Sequence, residues 1–508
     1  MAKKDFDPYK DTTKFTNVLG TPPYILTNDL TQDELRRLYV EKDYWRFYRG
    51  DQWRQKRPKG EPENTINYCK AFVNKGVAFL MGKGFTIDVP SPAREITRPI
   101  LDEVWEDNGK ELLGLDIAQA GGITGNSFIK VTIEKFDPEE YPDKSEIYPN
   151  GRIRLILLPT FSTFPTWHGH DRDKMVKCRI IYPVYRETEL ADGSVEKEKV
   201  WYKEVITKDT IEEYINDKLV SERENPLNEI PIIRIKNLPL SGSSLGLSDL
   251  EDIVPLQKEM NFKATDISDI INYHAGPVTI VKGAKVSGLE KGARKIWGGL
   301  PTDADVYNLE LESDLKAAID YFGIIKESMF ELGNMPEDAF GGADTRVSNV
   351  SGIALHIKNQ PLMEQTKVKH KTYGQGIQDI NRFILKYAKL IDYPGFKQKE
   401  WENLRPIQKY KTSIEFPNPL PKDELVQLQV IAQKIKLMLM SRKDAMIELG
   451  EKEPLQKIDE IIKETMKLEK ALYNTTDLDE EELEALKTNI AGIVDDSEQI
   501  LKDDNDEK

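Results

Sequence analysis

The sequence has little cysteine, little histidine and no long apolar run. Its only two cysteines, Cys69 and Cys178, cannot form a disulfide framework, so we interpret both as reduced, small hydrophobic side chains of an intracellular protein. No window approaches the roughly 20 consecutive apolar residues of a membrane-spanning helix. Lys3 and Lys4 near the N-terminus are not followed by an apolar run, so we expect no signal peptide. These absences predict a soluble protein, made in the cytoplasm, that does not enter a membrane.

The sequence also contains few glycines and prolines, and fewer basic than acidic residues. The 32 glycines and 28 prolines are too few for a fibrous or low-complexity protein, and the 39% hydrophobic residues are too many for a disordered one. The 72 Lys and Arg against 87 Asp and Glu give a net charge of −15 over 508 residues. This net negative charge argues against a protein that binds nucleic acid tightly in a basic groove. The length suffices for three or four domains.

The negative charge is concentrated at the C-terminal end of the sequence. Residues 474–508 contain 13 acids and three lysines, a net charge of −10, which leaves only −5 for residues 1–473. A segment of this composition is typical of a solvated, disordered tail. The rest of the chain is therefore close to charge balance.

Metal-binding patterns are scarce as well. The best candidate combines His168, His170 and Asp171, but a structural zinc site needs four ligands and a catalytic one three. Neither an HExxH sequence nor a pair of CxxC sequences completes such a set. We interpret this segment as a polar loop between strands, and we expect neither a metal nor a cofactor.

Two glycine-containing segments resemble phosphate-binding loops only superficially. Residues 76–84 have five spacers where a Walker A loop has four, and Gly84 stands where Ser or Thr would hold Mg²⁺. Residues 121–125 lack the order of a dinucleotide fingerprint, and no GxSxG sequence occurs. We therefore expect no enzyme, and a nucleotide-using enzyme built on residues 127–236 stays open as an alternative.

Helical patterns dominate the first 120 residues. Thr31 and Glu34 have the spacing of a capping box, at the start of a helix that Gly50 can end. Further helices are predicted over 64–81 and 91–115 from the spacing of their apolar residues.

The pattern between residues 127 and 236 changes to a period of two, which predicts strands. Turn sequences separate these strands, with few helices between them, so the sheet should be mainly antiparallel and the fold α+β. The candidate strands are 127–134, 152–158, 177–185, 199–206 and 230–235.

After residue 240, two helices bracket a small insert. Ser248 and Glu251 predict a capping box before a helix that continues to about residue 274. A compact insert follows over 277–311, with one strand predicted at 278–281, and the second helix is predicted over 314–332. This arrangement indicates a rod with a small domain at its end.

The longest predicted helix, over 351–391, comes after a loop. Pro361, Gly374 and Gly376 lie within it and predict bends. In the first helix of the rod, Pro255 should kink the helix or delay its start. Apolar spacing indicates further helices from residue 422 to about residue 472.

The order of these elements resembles the portal proteins of tailed double-stranded-DNA bacteriophages, of the type found in siphophages of Gram-positive hosts. The resemblance covers about residues 30 to 470 and depends on the order and spacing of elements together, because no single motif is specific. The segments that carry it are 48–53, 64–74, 230–235, 246–251 and 413–421.

The resemblance implies a portal-type fold in which each segment has a place. The implied parts are a loose N-terminal arm over 1–30, an α+β wing over 31–246, a first stem helix over 247–276, a small α/β clip over 277–311, a second stem helix over 312–335, a tunnel loop over 336–350, a long wing helix and its return over 351–421, a helical crown over 422–473 and an acidic tail over 474–508.

The resemblance also implies a function. It implies a ring without enzymatic activity, expected to be a dodecamer, at one capsid vertex of the virion. Double-stranded DNA would pass through the ring non-specifically during packaging and ejection. The ring would nucleate procapsid assembly with the major capsid and scaffolding proteins, dock the terminase large subunit, and later bind a head-completion or adaptor protein. A scaffold-type interaction protein that forms no ring is a further alternative.

Two groups of candidate residues follow from the resemblance. The tunnel loop would face DNA with Asp344, Thr345, Arg346, Val347, Ser348 and Asn349. The clip would contact terminase or adaptor with Lys282, Lys285, Lys291, Arg294 and Lys295. By their composition alone, these five basic residues are compatible with either an acidic partner or a solvated surface.

Overall fold

The computed structural model describes most of the chain. The described residues are 30–53, 63–189, 195–275, 279–282, 305–308, 315–340, 357–420 and 424–449, with single positions between 457 and 463. The chain divides into two compact units, residues 1–420 and residues 421–508, which are described separately.

The first unit mixes helices and strands, which confirms the predicted α+β class. Its elements up to residue 236 are α1 (Gln32–Arg49), α2 (Tyr68–Met81), β1 (Thr86–Asp88), α3 (Arg94–Asp107), α4 (Lys110–Thr124), β2 (Asn126–Glu134), α5 (Pro142–Ile147), β3 (Arg152–Leu158), β4 (Thr163–Trp167), β5 (Met175–Glu189), β6 (Val195–Thr207), β7 (Thr210–Ile215), β8 (Lys218–Glu224) and β9 (Ile232–Lys236). The elements that follow are α6 (Ile253–Ala275), β10 (Thr279–Lys282), β11 (Asp305–Asn308), α7 (Leu315–Leu332), α8 (Gln360–Leu390), α9 (Gln398–Asn403), α10 (Pro406–Lys409) and β12 (Ser413–Glu415).

Helix α1 begins and ends as its sequence predicts. The Glu34 amide donates to Thr31 Oγ1 at 3.3 Å, and the Thr31 amide donates to Glu34 Oε2 at 2.9 Å, which completes the capping box. Gly50 adopts the left-handed conformation with φ of 89° at the other end. The capping-box prediction is confirmed.

The predicted helix over 91–115 is wrong, because two helices occupy this stretch and continue beyond it. Helix α3 ends at Asp107 and α4 begins at Lys110, with Gly109 between them in the left-handed region at φ of 67°. Asn108 holds the break in place: its Nδ2 donates to the Ile153 carbonyl at 2.9 Å, and its Oδ1 accepts from the Leu155 amide at 2.9 Å.

The strands form two larger antiparallel sheets. One sheet has the order β3-β2-β9, and the other has the order β4-β5-β6-β7-β8. All five predicted strands occur, although β5 and β6 are longer than predicted and β4, β7 and β8 were missed. Lys130 of β2 and Glu204 of β6 join the two sheets by a buried ion pair of 2.6 Å. His168 and His170 lie in the exposed loop between β4 and β5, which confirms the interpretation as a polar loop.

Helix α8 runs through the core of the first unit. Its described length of 31 residues corresponds to about 46 Å. Pro361 lies in its first turn, so the proline begins the helix and does not bend it. The helix is continuous through Gly376, where a Cβ atom would lie 2.4 Å from Ile235 Cγ1. The glycine therefore serves close packing against β9, and residues 351–356 of the predicted helix lie outside the described part of the chain.

The second unit contains two described helices, α11 (Glu424–Lys436) and α12 (Arg442–Glu448). Ser441 caps α12, since its Oγ accepts from the Asp444 amide at 3.1 Å. Residues 464–508, which include the acidic tail, lie outside the described residues.

Candidate functional site at the helical hairpin

Helices α6 and α7 pack against each other and bracket the insert. Within the insert, β10 pairs antiparallel with β11, with Thr279 opposite Asn308 and Lys282 opposite Asp305. The strand predicted at 278–281 is therefore confirmed within one residue. We call α6 and α7 the helical hairpin.

Helix α6 starts later than its predicted capping box would allow. Ser248 Oγ donates to the Ile123 carbonyl at 2.6 Å and accepts from the Leu250 amide, so it does not cap α6 with Glu251. The helix begins at Ile253, which places Pro255 in its first turn, where a missing N–H costs nothing. Pro255 thus delays the start of the helix, one of its two predicted effects.

A buried ion pair lies just before α6. Lys369 Nζ of α8 lies 2.7 Å from both carboxylate oxygens of Asp249, and the two side chains are 4% and 6% exposed. Asn237 Nδ2 donates to Asp249 Oδ1 at 2.8 Å, and the Tyr373 hydroxyl donates to Asn237 Oδ1 at 3.1 Å. We call these four residues the charged hub. It connects the base of the hairpin to α8 and to the end of β9.

The glycine segments that resembled phosphate loops surround this hub. A Cβ atom at Gly121 would lie 2.0 Å from the Tyr373 hydroxyl, and one at Gly122 would lie 3.1 Å from Asp249 Oδ2. Gly76 of α2 faces the same ion pair. Burial, with the Asp249 charge, raises the pKa of Tyr373 well above its usual value. These glycines therefore make room for the hub, and most of both segments is helical.

Three polar side chains on α6 form a second connection. Gln257, Asn261 and Thr265 are spaced i, i+4 and i+8, so they share one face of the helix, and each is at most 3% exposed. They accept from the amides of Tyr68, Ile66 and Asn64 at 3.1, 3.2 and 3.3 Å, and Gln257 Nε2 donates to the Ile66 carbonyl at 2.6 Å. We call these three side chains the amide ladder.

The amide ladder explains why α2 starts at Tyr68 and not near residue 64, as predicted. Side chains of α6 pair with the backbone of residues 64–68 in the way that a neighbouring strand would. The backbone N–H and C=O groups of these extended residues therefore find hydrogen-bond partners without forming a helix. The ladder was not predicted from the sequence, because its side chains and the backbone of residues 64–68 lie about 190–200 positions apart along the chain.

The predicted tunnel-loop residues are only partly described. Residues Glu337–Phe340 form a single 3₁₀ turn, and Lys326 forms an ion pair with Glu337. The Phe340 ring packs 5.5 Å from the rings of Phe72 and Phe330, measured between centroids. This first part of the segment belongs to the core. Asp344, Thr345, Arg346, Val347, Ser348 and Asn349 lie outside the described residues, and their role stays a prediction.

Of the five basic residues predicted for the clip, the structure describes one. Lys282 is exposed at the end of β10. The other four lie outside the described residues, and their grouping with Lys282 stays a prediction: Lys285, Lys291, Arg294 and Lys295.

A groove of about 970 Å³ lies on the α+β region, where a nucleotide-using enzyme would need its site. Its three acids lie near arginines: Asp173 lies 2.7 Å from Arg234, and Glu229 and Asp379 lie 2.9 Å and 3.9 Å from Arg382. The hydrogen bond from Arg234 lowers the pKa of the Asp173 carboxyl. Across the described part of the chain, no group of three or more His, Cys, Asp or Glu is placed to hold a metal ion.

Both cysteines are free and buried, which confirms their interpretation as interior side chains. Burial raises the pKa of Cys69 and of Cys178 to about 12. Because the thiolate is the reactive form, these thiols are poor nucleophiles at neutral pH.

A comparison with protein families matches this chain over residues 28–468 to the model described as phage portal protein, SPP1 Gp6-like. The match includes both sheets, the helical hairpin, α8 and the described helices of the second unit. No curated protein sequence matches the chain. Among the described residues, no helix is both long enough and apolar enough to cross a membrane.

Proposed function

The chain belongs to the SPP1 Gp6-like phage portal protein family, and we propose that it forms a ring at one capsid vertex, through which double-stranded DNA is packaged and ejected. Membership makes it a portal protein and a capsid component of the virion, in a family of structural proteins that form homo-oligomeric rings and associate with capsid and terminase. The match over residues 28–468 carries this proposal.

The elements of the first unit suit the parts of such a ring. In this proposal α6 and α7 form the stem, and the insert between them forms the clip that contacts the terminase large subunit and, later, a head-completion protein. Within the tunnel loop predicted over 336–350, residues 341–350 lie nearest DNA, because Phe340 packs in the core, and α8 crosses the wing. Residues 422–473, in the second unit, form the crown, and the assembled ring, expected to be a dodecamer, nucleates the procapsid.

The charged hub supports a mechanical role for the base of the hairpin. Residues 341–350 lie in the segment between α7 and α8, and Lys369 of α8 pairs with Asp249 just before α6. A displacement of the loop by passing DNA would therefore reach α8 and the start of the stem together. Because both charges are buried and paired, separating them is costly, so this connection is stiff.

The charge balance supports the passage of DNA. A channel must let a polyanion slide, and every added basic contact strengthens binding through counterion release and thereby slows movement. A body of the chain that carries only −5 over residues 1–473 is compatible with a lumen that holds DNA weakly.

Deletion of residues 341–349 tests the role of the loop. We expect the variant to form rings but to package no DNA, as measured by a DNase-protection packaging assay with terminase and procapsids. The deletion spares Phe340, because that ring packs against Phe72 and Phe330 in the core. Loss of ring assembly would show that the segment is structural, and normal packaging would show that it is dispensable.

A further inference from the structure

The two flanks of the helical hairpin carry different apolar surfaces. On α7, Tyr321, Ile324 and Leu332 are 45%, 59% and 55% exposed. Their spacing of i, i+3 and i+11 places them within roughly 80° of one another around the helix, so they form one stripe. We call these three side chains the apolar ridge.

The other flank is concave. A groove of about 440 Å³ lies between the two helices and the extended residues 64–66; its lining is mostly apolar, with Ile66, Ala264, Ile267, Ile319 and Phe322 beside the polar Asn64 and Thr65. Ile319 is 50% exposed there, and Ile66 is 37% exposed. We call this the apolar groove.

The ridge and the groove face away from each other. At about 100° per residue, Ile319 lies roughly 160° from Tyr321 and roughly 140° from Ile324 around α7. The buried side chains Ile325 and Met329 lie between the two directions and pack against the rest of the chain. One hairpin therefore presents an exposed apolar stripe on one flank and a mostly apolar groove on the other.

A closed ring needs two complementary surfaces on each subunit. Neighbouring subunits in a cyclic ring of more than two copies meet head to tail, so each subunit must present two different surfaces that fit one another. We propose that the apolar ridge of one copy of this chain docks into the apolar groove of the next copy. This inference rests on the proposed ring and adds the residues of one contact in it.

The size of the two surfaces sets the scale of the contact. A stable interface buries roughly 1,200–2,000 Å² in total, which is more than the three side chains of the ridge can supply. The ridge and groove therefore act as an anchor within a larger subunit contact. A charge placed at the centre of this anchor should still prevent it, because an unpaired charge would be buried.

Two variants and their mixture test the head-to-tail contact. Ile324→Asp removes the ridge and Ile319→Asp removes the groove; each variant alone should remain monomeric, as measured by mass photometry of the purified full-length chain. In an equimolar mixture, the intact ridge of one variant meets the intact groove of the other. The mixture should form dimers that grow no further, because both free ends carry a defective surface.

Leu219→Asp is the matched control, since Leu219 of β8 is 52% exposed but lies outside both surfaces, and this variant should form rings. Rings from Ile324→Asp or Ile319→Asp would overturn the inference and leave the proposed function standing. A mixture that stays monomeric, or that closes into rings, would also overturn it. A wild-type chain that is monomeric under all conditions would contradict the proposed function itself.

Cross-linking gives a second measurement that does not depend on a charged substitution. Cys69 and Cys178 are both 0% exposed, so a short bis-maleimide should leave the wild-type chain unmodified. The double variant Ile319→Cys with Ile324→Cys should give a ladder of cross-linked multimers, and each single cysteine variant should give none. Dimers from a single variant, or no ladder from the double variant, would contradict a ridge-to-groove contact.

Discussion

The base of the helical hairpin and its flanks are built in opposite ways. At the base, polar side chains are buried: Asp249 and Lys369 pair with each other, and the amide ladder pairs with the backbone of residues 64–68. On the flanks, apolar side chains such as Ile319 and Ile324 are half-exposed. The base is therefore complete within one chain, whereas the flanks leave apolar surface exposed, which the proposed contact would bury against another copy.

This difference separates two tasks of the same helices. Buried, hydrogen-bonded polar groups tolerate few alternative arrangements, because each unmatched group is costly, so they define how the hairpin joins its own chain. Exposed apolar surface is less directional and contributes to association. Substitutions at the base should therefore change stability, and substitutions on the flanks should change assembly.

The largest effect on stability is expected at the charged hub. Lys369→Met leaves the Asp249 carboxylate buried without its cation, so unfolding should become easier by about 3–5 kcal/mol. The measurement is chemical denaturation at fixed protein concentration.

Lys367→Met is the control on the same helix. Lys367 lies 2.6 Å from Glu364 but is 60% exposed, so its loss should cost about 0.5 kcal/mol or less. Equal effects of the two variants would mean that burial of the ion pair does not distinguish the base from the surface.

An intermediate effect is expected at the amide ladder. Asn261→Leu removes the acceptor of the Ile66 amide and leaves that part-buried group unpaired, which should cost about 1 kcal/mol. Hydrogen exchange at the Ile66 amide should become faster than in the wild-type chain. Glu259→Gln, at a less buried position on the same helix, should leave the exchange rate at Ile66 unchanged; similar acceleration in both variants would argue against the ladder.

A pH-dependent effect is expected at Glu41, a buried charge that is less well satisfied than the hub. Glu41 is 2% exposed, and its Oε2 has no hydrogen-bond partner among the described residues. Burial raises the pKa of this carboxyl above its ordinary value, although Arg37 opposes the shift. The folded state therefore binds the proton more tightly, and stability is lost as the pH rises through the raised pKa.

Glu41→Gln remains neutral at every pH and should avoid this loss. The melting temperature of the variant should match that of the wild-type chain near pH 4 and exceed it near pH 8. The difference near pH 8 should correspond to a free energy of unfolding about 1 kcal/mol higher than in the wild-type chain. A melting temperature difference that is largest at low pH would contradict the assigned direction.

Local signals made part of this fold predictable from the sequence. Thr31 and Glu34 lie three residues apart, so their capping box can be read directly, and the turn sequence at 148–151 marks the start of β3 at Arg152. The break between α3 and α4 was not predictable in the same way. It depends on Asn108 binding the backbone of β3, more than 40 positions along the chain.

The charged hub could not be predicted from the sequence, because its residues pair over a long distance along the chain. Asp249 and Lys369 are 120 positions apart, and neither has a local pattern that marks it as buried. Strands β7 and β8 were missed because Glu212 and Glu213 interrupt one apolar pattern and exposed polar residues dominate the other. The predicted DNA-facing and terminase-facing residues stay predictions, apart from the exposure of Lys282.

Imaging of the purified full-length chain by negative-stain or cryo-electron microscopy tests the central claim most directly. The account predicts closed rings with a central channel wide enough for duplex DNA, in which neighbouring hairpins pack side by side. A chain that remains monomeric at all protein concentrations and salt conditions, or that forms open filaments without a channel, would contradict it.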